Sequence, residues 1–246
     1  MNIEKISPRT IRQQIYDQLK KKIISATIPP GQVMTIQGLA NEFGVSVMPV
    51  REALWQLESE KVIVIESNRR IFVNTLTRKE MEEALNLRLI LESIAAERAC
   101  DRIGDDDLSH LKQTVEMMER ALGETDKFFS LNTDFHFSIY STADSPMLLG
   151  IIDALWARVG PYMAINWGEK GHHTSVIQSH RLMYEALSRR DKEKLKELLA
   201  EDLRVAARTI IPLLQDAAPE ARSNTIKKDR LIKRQPAEST LDPRRR

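Results

Sequence analysis

The sequence predicts a mainly α fold in two parts. The first is an N-terminal winged helix-turn-helix with a small β-hairpin wing. The second is a C-terminal antiparallel all-α bundle of six or so helices. Three observations carry this. Gly44–Leu57 reads GVSVMPVREALWQL, where Val50, Leu54 and Leu57 recur at spacings of four and three after a Phe43-Gly44 turn. Two β-branched runs, Val62–Ile65 and Ile71–Thr75, flank a polar turn at Asn68-Arg69-Arg70. From Thr77 the apolar period changes from two to 3.6 and stays helical to about Leu214.

The elements follow in order. Ser7-Pro8 is a start signal for a first helix, with Ile11, Ile15, Leu19 and Ile23 as its buried stripe. Lys20-Lys21-Lys22 near its C-terminal end suit the helix dipole, and Ile28-Pro29-Pro30-Gly31 stops it. A short helix over Thr35–Phe43 takes Thr35 as cap and buries Leu39, Ala40 and Phe43. Ser46 is the polar cap candidate for the next helix. Pro49 is tolerated in its first turn, where the N–H groups have no helical partner. Arg51 and Gln56 lie off the apolar stripe and face outward. Two short helices joined by a Gly-containing turn form a helix-turn-helix, whose second helix enters the DNA major groove. The hairpin completes a wing. Arg69 and Arg70 at its tip are either solvated turn residues or contacts to the minor groove and phosphates.

The boundary between the parts falls at Leu76–Arg78, giving domains 1–76 and 77–215. Thr77–Arg102 opens on a capping box, Thr77 with Glu80. Asp105–Leu122, Thr125–Thr142, Ser145–Trp167, Ser175–Arg189 and Asp191–Leu214 complete the bundle. Residues 216–246 offer no core-forming face and end in Arg-Arg-Arg, which reads as a flexible basic tail.

Charge is uneven. Residues 1–76 hold ten Lys/Arg against seven Asp/Glu, net +3. Residues 77–215 hold eighteen against twenty-three, net −5, and 216–246 hold nine against five, net +4. A basic head on an acidic body suits a protein that offers one end to phosphate. The single cysteine, Cys100, excludes an intrachain disulfide and reads as a small buried hydrophobe. No run approaches eighteen apolar residues and no signal-peptide core is present, so no membrane role and a cytoplasmic location are expected.

PPG at 29–31, LANEFGVS at 39–46, PVREAL at 49–54 and the RRIFV wing make the head resemble the N-terminal domain of the GntR superfamily of bacterial transcription regulators. The resemblance implies DNA contacts from Gln37, Ser46, Val47, Met48, Arg51, Asn68, Arg69 and Arg70. Val47 and Met48 depart from the family's Arg-Thr at these base-contacting positions. One short recognition helix reads few base pairs, so a homodimer on a palindromic double-stranded operator is expected.

In the bundle, Asn132 and His136 are four apart on one apolar helix face. His180 and Asp202 lie eleven residues either side of a turn near Asp191. In an antiparallel hairpin, equal distances from the turn give equal heights. Two imidazoles, a carboxylate and an amide oxygen can therefore converge as ligands for a divalent ion such as Zn, Mn or Ni. The metal-free alternative is a polar pocket with His136 hydrogen-bonded to Asp202. The same stretches, RLILE at 88–92, NTDFHFSIY at 132–140 and SHRLMYEAL at 179–187, resemble the FadR-type C-terminal ligand-binding domain (FCD). That resemblance implies a metal that helps hold a small carboxylate effector; Asp202 stands where the family has a last His. Arg88 and Glu92 read as an intrahelical ion pair or, by the resemblance, as effector-binding with Arg88 gripping an acid. Arg158, one turn from Tyr162, is a further pocket candidate. Trp156 and Trp167 read as core or lid, and His172-His173 as an exposed loop.

The function expected is an effector-controlled transcription regulator, a repressor or an activator. The alternatives are an architectural DNA binder with a purely structural pocket, or a metalloenzyme. Against the enzyme, no general base, Gly-rich phosphate loop or Ser/Cys nucleophile motif is evident.

Overall fold

A computed structural model describes residues 10–66, 70–167, 170–214 and 216; of 170–172 only the backbone is described. The expected Ser7-Pro8 start, the wing-tip residues Asn68 and Arg69, and the tail from 217 onward lie outside the described residues.

Helix α1 (Ile11–Ile24) is capped by Thr10, whose hydroxyl accepts from the Gln13 amide at 3.2 Å. It packs on α3 (Val47–Ser59), with α2 (Ile36–Phe43) alongside. Gly44 ends α2 at φ 64°, a left-handed conformation that glycine adopts without strain. The Thr35 hydroxyl caps α2 by accepting from Gly38 N at 3.0 Å. Ser46 occupies the cap position of α3 but makes no side-chain capping bond, so its hydroxyl stays available to an outside partner.

The wing is larger by one strand than the sequence pattern indicated. β2 (Ile63–Ile65) and β3 (Ile71–Val73) pair antiparallel, and β1 (Val33–Met34) adds to the other edge of β3, giving the order β1-β3-β2. Two residues are too few for an alternation to be read from sequence.

The bundle comprises α4 (Arg78–Arg102), α5 (Asp105–Arg120), α6 (Thr125–Thr142), α7 (Pro146–Asn166), α8 (Lys170–Ser188) and α9 (Lys192–Ile210), closed by a 3-10 turn at Ile211–Leu213. The Thr77–Glu80 capping box forms in both directions: Thr77 Oγ1 accepts from Glu80 N at 3.2 Å, and Glu80 Oε2 accepts from Thr77 N at 2.9 Å. Helix α4 packs on α6, α7 and α9; α8 packs on α5 and α9. The α8–α9 turn passes through Arg190 at φ 53°. That strained residue is held by two charge-assisted bonds from its guanidinium to the carbonyls of Cys100 and Ile103 at the end of α4, 2.7 and 2.8 Å. Asp191 Oδ1 then caps α9 by accepting from Lys194 N at 3.0 Å. Cys100 is fully buried, as a small hydrophobe would be.

Helix α8 begins at Lys170, five residues before the expected start, and takes in the stretch expected as an exposed loop. His173 is buried: its ring stacks on Phe128 at 4.3 Å and meets Trp167 edge-on. Aromatic stacking outweighs the local preference of a Gly-flanked segment for a loop.

Two apolar cores result. Ile15, Leu19, Leu39, Val50, Leu57 and Ile71 are among those that fill the first; Leu76 and the bundle helices fill the second. Helix α7 serves both. Ala157, 1% exposed, belongs to the first core, while Trp156, Val159 and Met163 belong to the second. Gly160 faces α1 so closely that an added Cβ would stand 2.8 Å from Ile24 Cγ2.

Lys20, read from the sequence only as a cation suiting the helix dipole, is 7% exposed. Its Nζ bonds Tyr16 Oη at 2.9 Å, Glu60 Oε2 at 2.9 Å and Asp153 Oδ2 of α7 at 2.5 Å. The Leu76 amide donates to Tyr162 Oη of α7 at 2.6 Å.

Candidate functional site: a recognition helix and a buried histidine chamber

On the head, Gln37, Ser46, Met48, Arg51 and Arg70 are exposed and Val47 is half-buried. Gln37 donates to Asn41 Oδ1 at 3.0 Å, which orients its amide along α2. Arg51 has no ion-pair partner among the described residues. No acidic residue sits in the first turn of α3, so the positive end of its dipole is left for phosphate. Trp55, not singled out in the sequence reading, is 55% exposed, seven positions after Met48; Ile11, expected in the buried stripe of α1, is 56% exposed.

In the bundle the structure brings His136, His180 and Asp202 together, from α6, α8 and α9. Their ligand-capable atoms lie within 4.8 Å of one another. His136 Nε2 stands 3.1 Å from His180 Nε2 and 3.5 Å from Asp202 Oδ2. Both histidines are buried, and the Asp202 side chain is 16% exposed. Asn132, one turn before His136, is 1% exposed with its Nδ2 unpartnered among the described residues.

The surroundings set the tautomers. His180 Nδ1 faces the Val176 carbonyl at 2.8 Å; a carbonyl only accepts, so Nδ1 carries the hydrogen. His136 Nδ1 lies 3.2 Å from Tyr140 Oη, whose own hydrogen goes to the Glu92 carboxylate in a very short bond. The Tyr140 oxygen must therefore accept from His136 Nδ1. His180 Nε2 is left as a bare lone pair, and His136 Nε2 faces it and the Asp202 carboxylate. Burial, then the neighbouring His136, lowers the His180 pKa to about 4, so His180 is neutral at pH 7. Burial alone would raise the Asp202 pKa, but His136, His180 and Arg88 outweigh it and hold it below the usual carboxylate range. Burial first, and then Glu92, raises the Tyr140 pKa well above that of a free phenol, so its proton stays in place.

Three possible donor atoms facing one place could hold a cation. Two ligands about 2.0–2.1 Å from one zinc at a tetrahedral angle sit roughly 3.3 Å apart. The observed 3.1 and 3.5 Å bracket that value, so the donor set fits a divalent ion, with the Nδ1 contacts orienting the rings from behind.

Arg88 and Glu92 form the ion pair at 2.6 Å, both fully buried on α4. Glu92 also accepts from Trp156 Nε1 at 3.0 Å, and the guanidinium lies over the Trp156 ring at 4.4 Å. The pairing leaves Arg88 Nη2 buried and unpartnered among the described residues. Arg88, Met81, Leu85, Met163 and Leu203 line a cavity of about 10 Å³, room for about one water. Arg158 is not among its lining. It lies in a cleft with Lys61, Val73, Asn74 and Leu76, at the junction of the wing base and α7. One-turn spacing from Tyr162 told that the two residues share a side of α7; it could not tell which of that helix's two buried sides.

Residues 11–73 match the family model described as bacterial regulatory proteins, gntR family, and residues 83–205 match the FCD domain. The chain belongs to the GntR family. It is 30% identical over 195 residues to the HTH-type transcriptional regulator McbR of Escherichia coli K12, covering 76% of this chain and 87% of McbR. It is 28% identical over 196 residues to the gluconate operon transcriptional repressor of Bacillus subtilis 168, covering 75% and 79%. The solved structure of E. coli McbR/YncC matches with TM-score 0.79 at 24% identity over 83% of this chain and 98% of that one. A putative GntR regulator from Rhodococcus sp. RHA1 matches at 0.70 and 20%, covering 83% and 99%. Both structures carry the same fold, a winged head on a helical bundle. This regulator is thus a DNA-binding transcription factor with an FCD domain, and its relatives are named regulators, not enzymes.

Proposed function

We propose that this regulator is a cytoplasmic repressor whose grip on a palindromic operator is set by a small carboxylate bound beside a divalent ion. The observation that carries the proposal is the pair of Nε2 atoms 3.1 Å apart beside Asp202. His136, His180 and Asp202 would hold the ion. Asn132 would join them if its amide is turned so that the oxygen takes the place of the unpartnered nitrogen. A bound ion supplies Lewis-acid attraction for a carboxylate oxygen. Arg88 Nη2 is the remaining buried donor for the same ligand. Repression is the activity named for the gluconate operon relative. Gln37, Ser46, Val47, Met48, Arg51 and the wing form the DNA face of each protomer.

A second copy is required to read a palindrome. Helix α4 leaves Leu87, Ile90 and Ile94 exposed at 49, 59 and 40%, on the side away from its buried stripe, which is surface a second protomer would cover. The signal route is α7. Trp156, Val159 and Met163 touch the chamber side, while Asp153, Ala157, Gly160 and Tyr162 grip the head. An effector that displaces Trp156 or Met163 moves the head with the same helix.

The test is metal analysis of full-length protein purified without chelator, paired with His136→Ala. About one ion per chain in the wild type and none in the variant is expected. In a thermal-shift screen of small carboxylates, one class should stabilise only the metal-loaded protein. Metal-free wild type, with no carboxylate shift after metal addition, would leave the architectural alternative standing.

A further inference from the structure

The outward face of α3 carries an apolar side chain where a groove-reading helix meets base edges. Met48 is the second residue of α3 and is 58% exposed. The head's core takes Val50, Ala53, Leu54 and Leu57 from the same helix and has no place for it. Positions 48, 51, 52 and 55 follow the i, i+3, i+4, i+7 spacing, so Met48, Arg51, Glu52 and Trp55 form one exposed face. The N-terminal residues of a recognition helix contact base edges. Here the first two, Val47 and Met48, offer no side-chain hydrogen-bond donor. In the major groove the four base-pair orientations differ in donors, acceptors and one apolar group, the thymine 5-methyl. An unbranched thioether with rotatable bonds can close around that methyl, and it can tell guanine from adenine only poorly.

We infer that Met48, with Val47 beside it, reads a thymine 5-methyl group in each operator half-site. Met48 is thereby the residue that selects T·A at the position it meets. Arg51, one turn on, supplies the hydrogen-bonded base contact. The inference rests on α3 being the helix that enters the major groove. Burying one methyl strengthens binding roughly fourfold.

The experiment uses the full-length protein. Duplexes bound from a randomised library are sequenced to give the selected operator. Each thymine of that duplex is then replaced singly by deoxyuridine, which removes only the methyl. The wild type should lose about fourfold at one thymine per half-site. Met48→Ala, at an exposed position, should fold normally by its thermal transition and show no loss at that thymine. Met48→Arg should move the preference there from thymine to guanine. Uracil tolerated within twofold at every position overturns the inference, as does full uracil sensitivity retained in Met48→Ala. A library with no enriched sequence overturns the groove assignment of α3 itself, a separate failure that removes the methyl contact with it.

Discussion

Removing Lys20 should loosen the head from the bundle by an amount the contacts allow to be worked out. Its Nζ bonds Glu60, Asp153 and Tyr16 with a side chain only 8% exposed, while Glu60 and Asp153 are 21% and 42% exposed. Hydrogen bonds to charged groups contribute about 1.5–3 kcal/mol each. Burying an ammonium costs several kcal/mol in return. Breaking a fully buried pair costs about 3–5 kcal/mol, but both carboxylates here can turn to water once Lys20 is gone. Lys20→Met should therefore cost about 2 kcal/mol, and Asp153→Asn, at the more exposed partner, about 1 kcal/mol. The two changes remove the same bond, so the double variant should cost about 2 kcal/mol instead of the sum of about 3, a coupling of roughly 1 kcal/mol. For a compact unit of this size that means a fall of about 4–8 °C for Lys20→Met. The assay is urea unfolding of wild type, both single variants and the double variant, compared at constant m. Agreement of the double variant with the simple sum, within about 0.3–0.5 kcal/mol, would refute the linked latch. If α7 carries the signal, Asp153→Asn should also shrink the effector's influence on operator affinity while leaving metal content unchanged.

Three further outcomes follow from single residues. Burial, then a hydrogen bond to Glu60, raises the Tyr16 pKa to about 12. The unfolded chain therefore loses this proton first, and stability present below pH 10 should fall between pH 10 and 12. The full effect is on the order of 2 kcal/mol, and an alkaline denaturation series should show a shallower fall for Tyr16→Phe. Glu92→Gln should destabilise by about 3–5 kcal/mol in urea unfolding, because it strips the buried Arg88 guanidinium of its counter-charge; Arg88→Met with Glu92→Met should recover most of that loss. Arg51→Ala should weaken operator binding by about 1–3 kcal/mol in a gel-shift titration; retained affinity would count against the recognition-helix assignment.

What the sequence disclosed was what depends on near neighbours. Thr35, Gly44 and the Thr77–Glu80 box were readable because a cap is settled within four residues. The meeting of His180 with Asp202 was readable for a related reason: the Arg190 turn fixes the hairpin register, so equal distances along the chain become equal heights. Contacts between distant segments were hidden. Lys20 and Asp153 are 133 residues apart, and nothing near Lys20 distinguishes it from the exposed Lys21 and Lys22. Arg158 reads as a pocket candidate from its one-turn spacing to Tyr162, and that spacing does not distinguish the two buried sides of α7. His173 was assigned to a loop because its flanking glycine was weighed and its distant partner Phe128 could not be.

The two buried sides of α7 also account for its composition. Among the described residues, α7 is the one helix long and apolar enough to cross a membrane. Half of its apolar stretch is buried inside the protein. A bundle helix normally needs one apolar stripe; this one covers the chamber on one side and completes the head's core on the other. That arrangement limits how the head can respond. Packed interiors hold discrete arrangements and do not deform smoothly. With Ala157 inside the head's core and Gly160 against Ile24, the head cannot drift on α7 without opening a cavity in its own core. A ligand that repacks Trp156 or Met163 must therefore either carry the head along as a body or fail to reach it. On the proposed function, an effector in the chamber would thus be converted into a change of head position, which an operator with two fixed half-sites would discriminate.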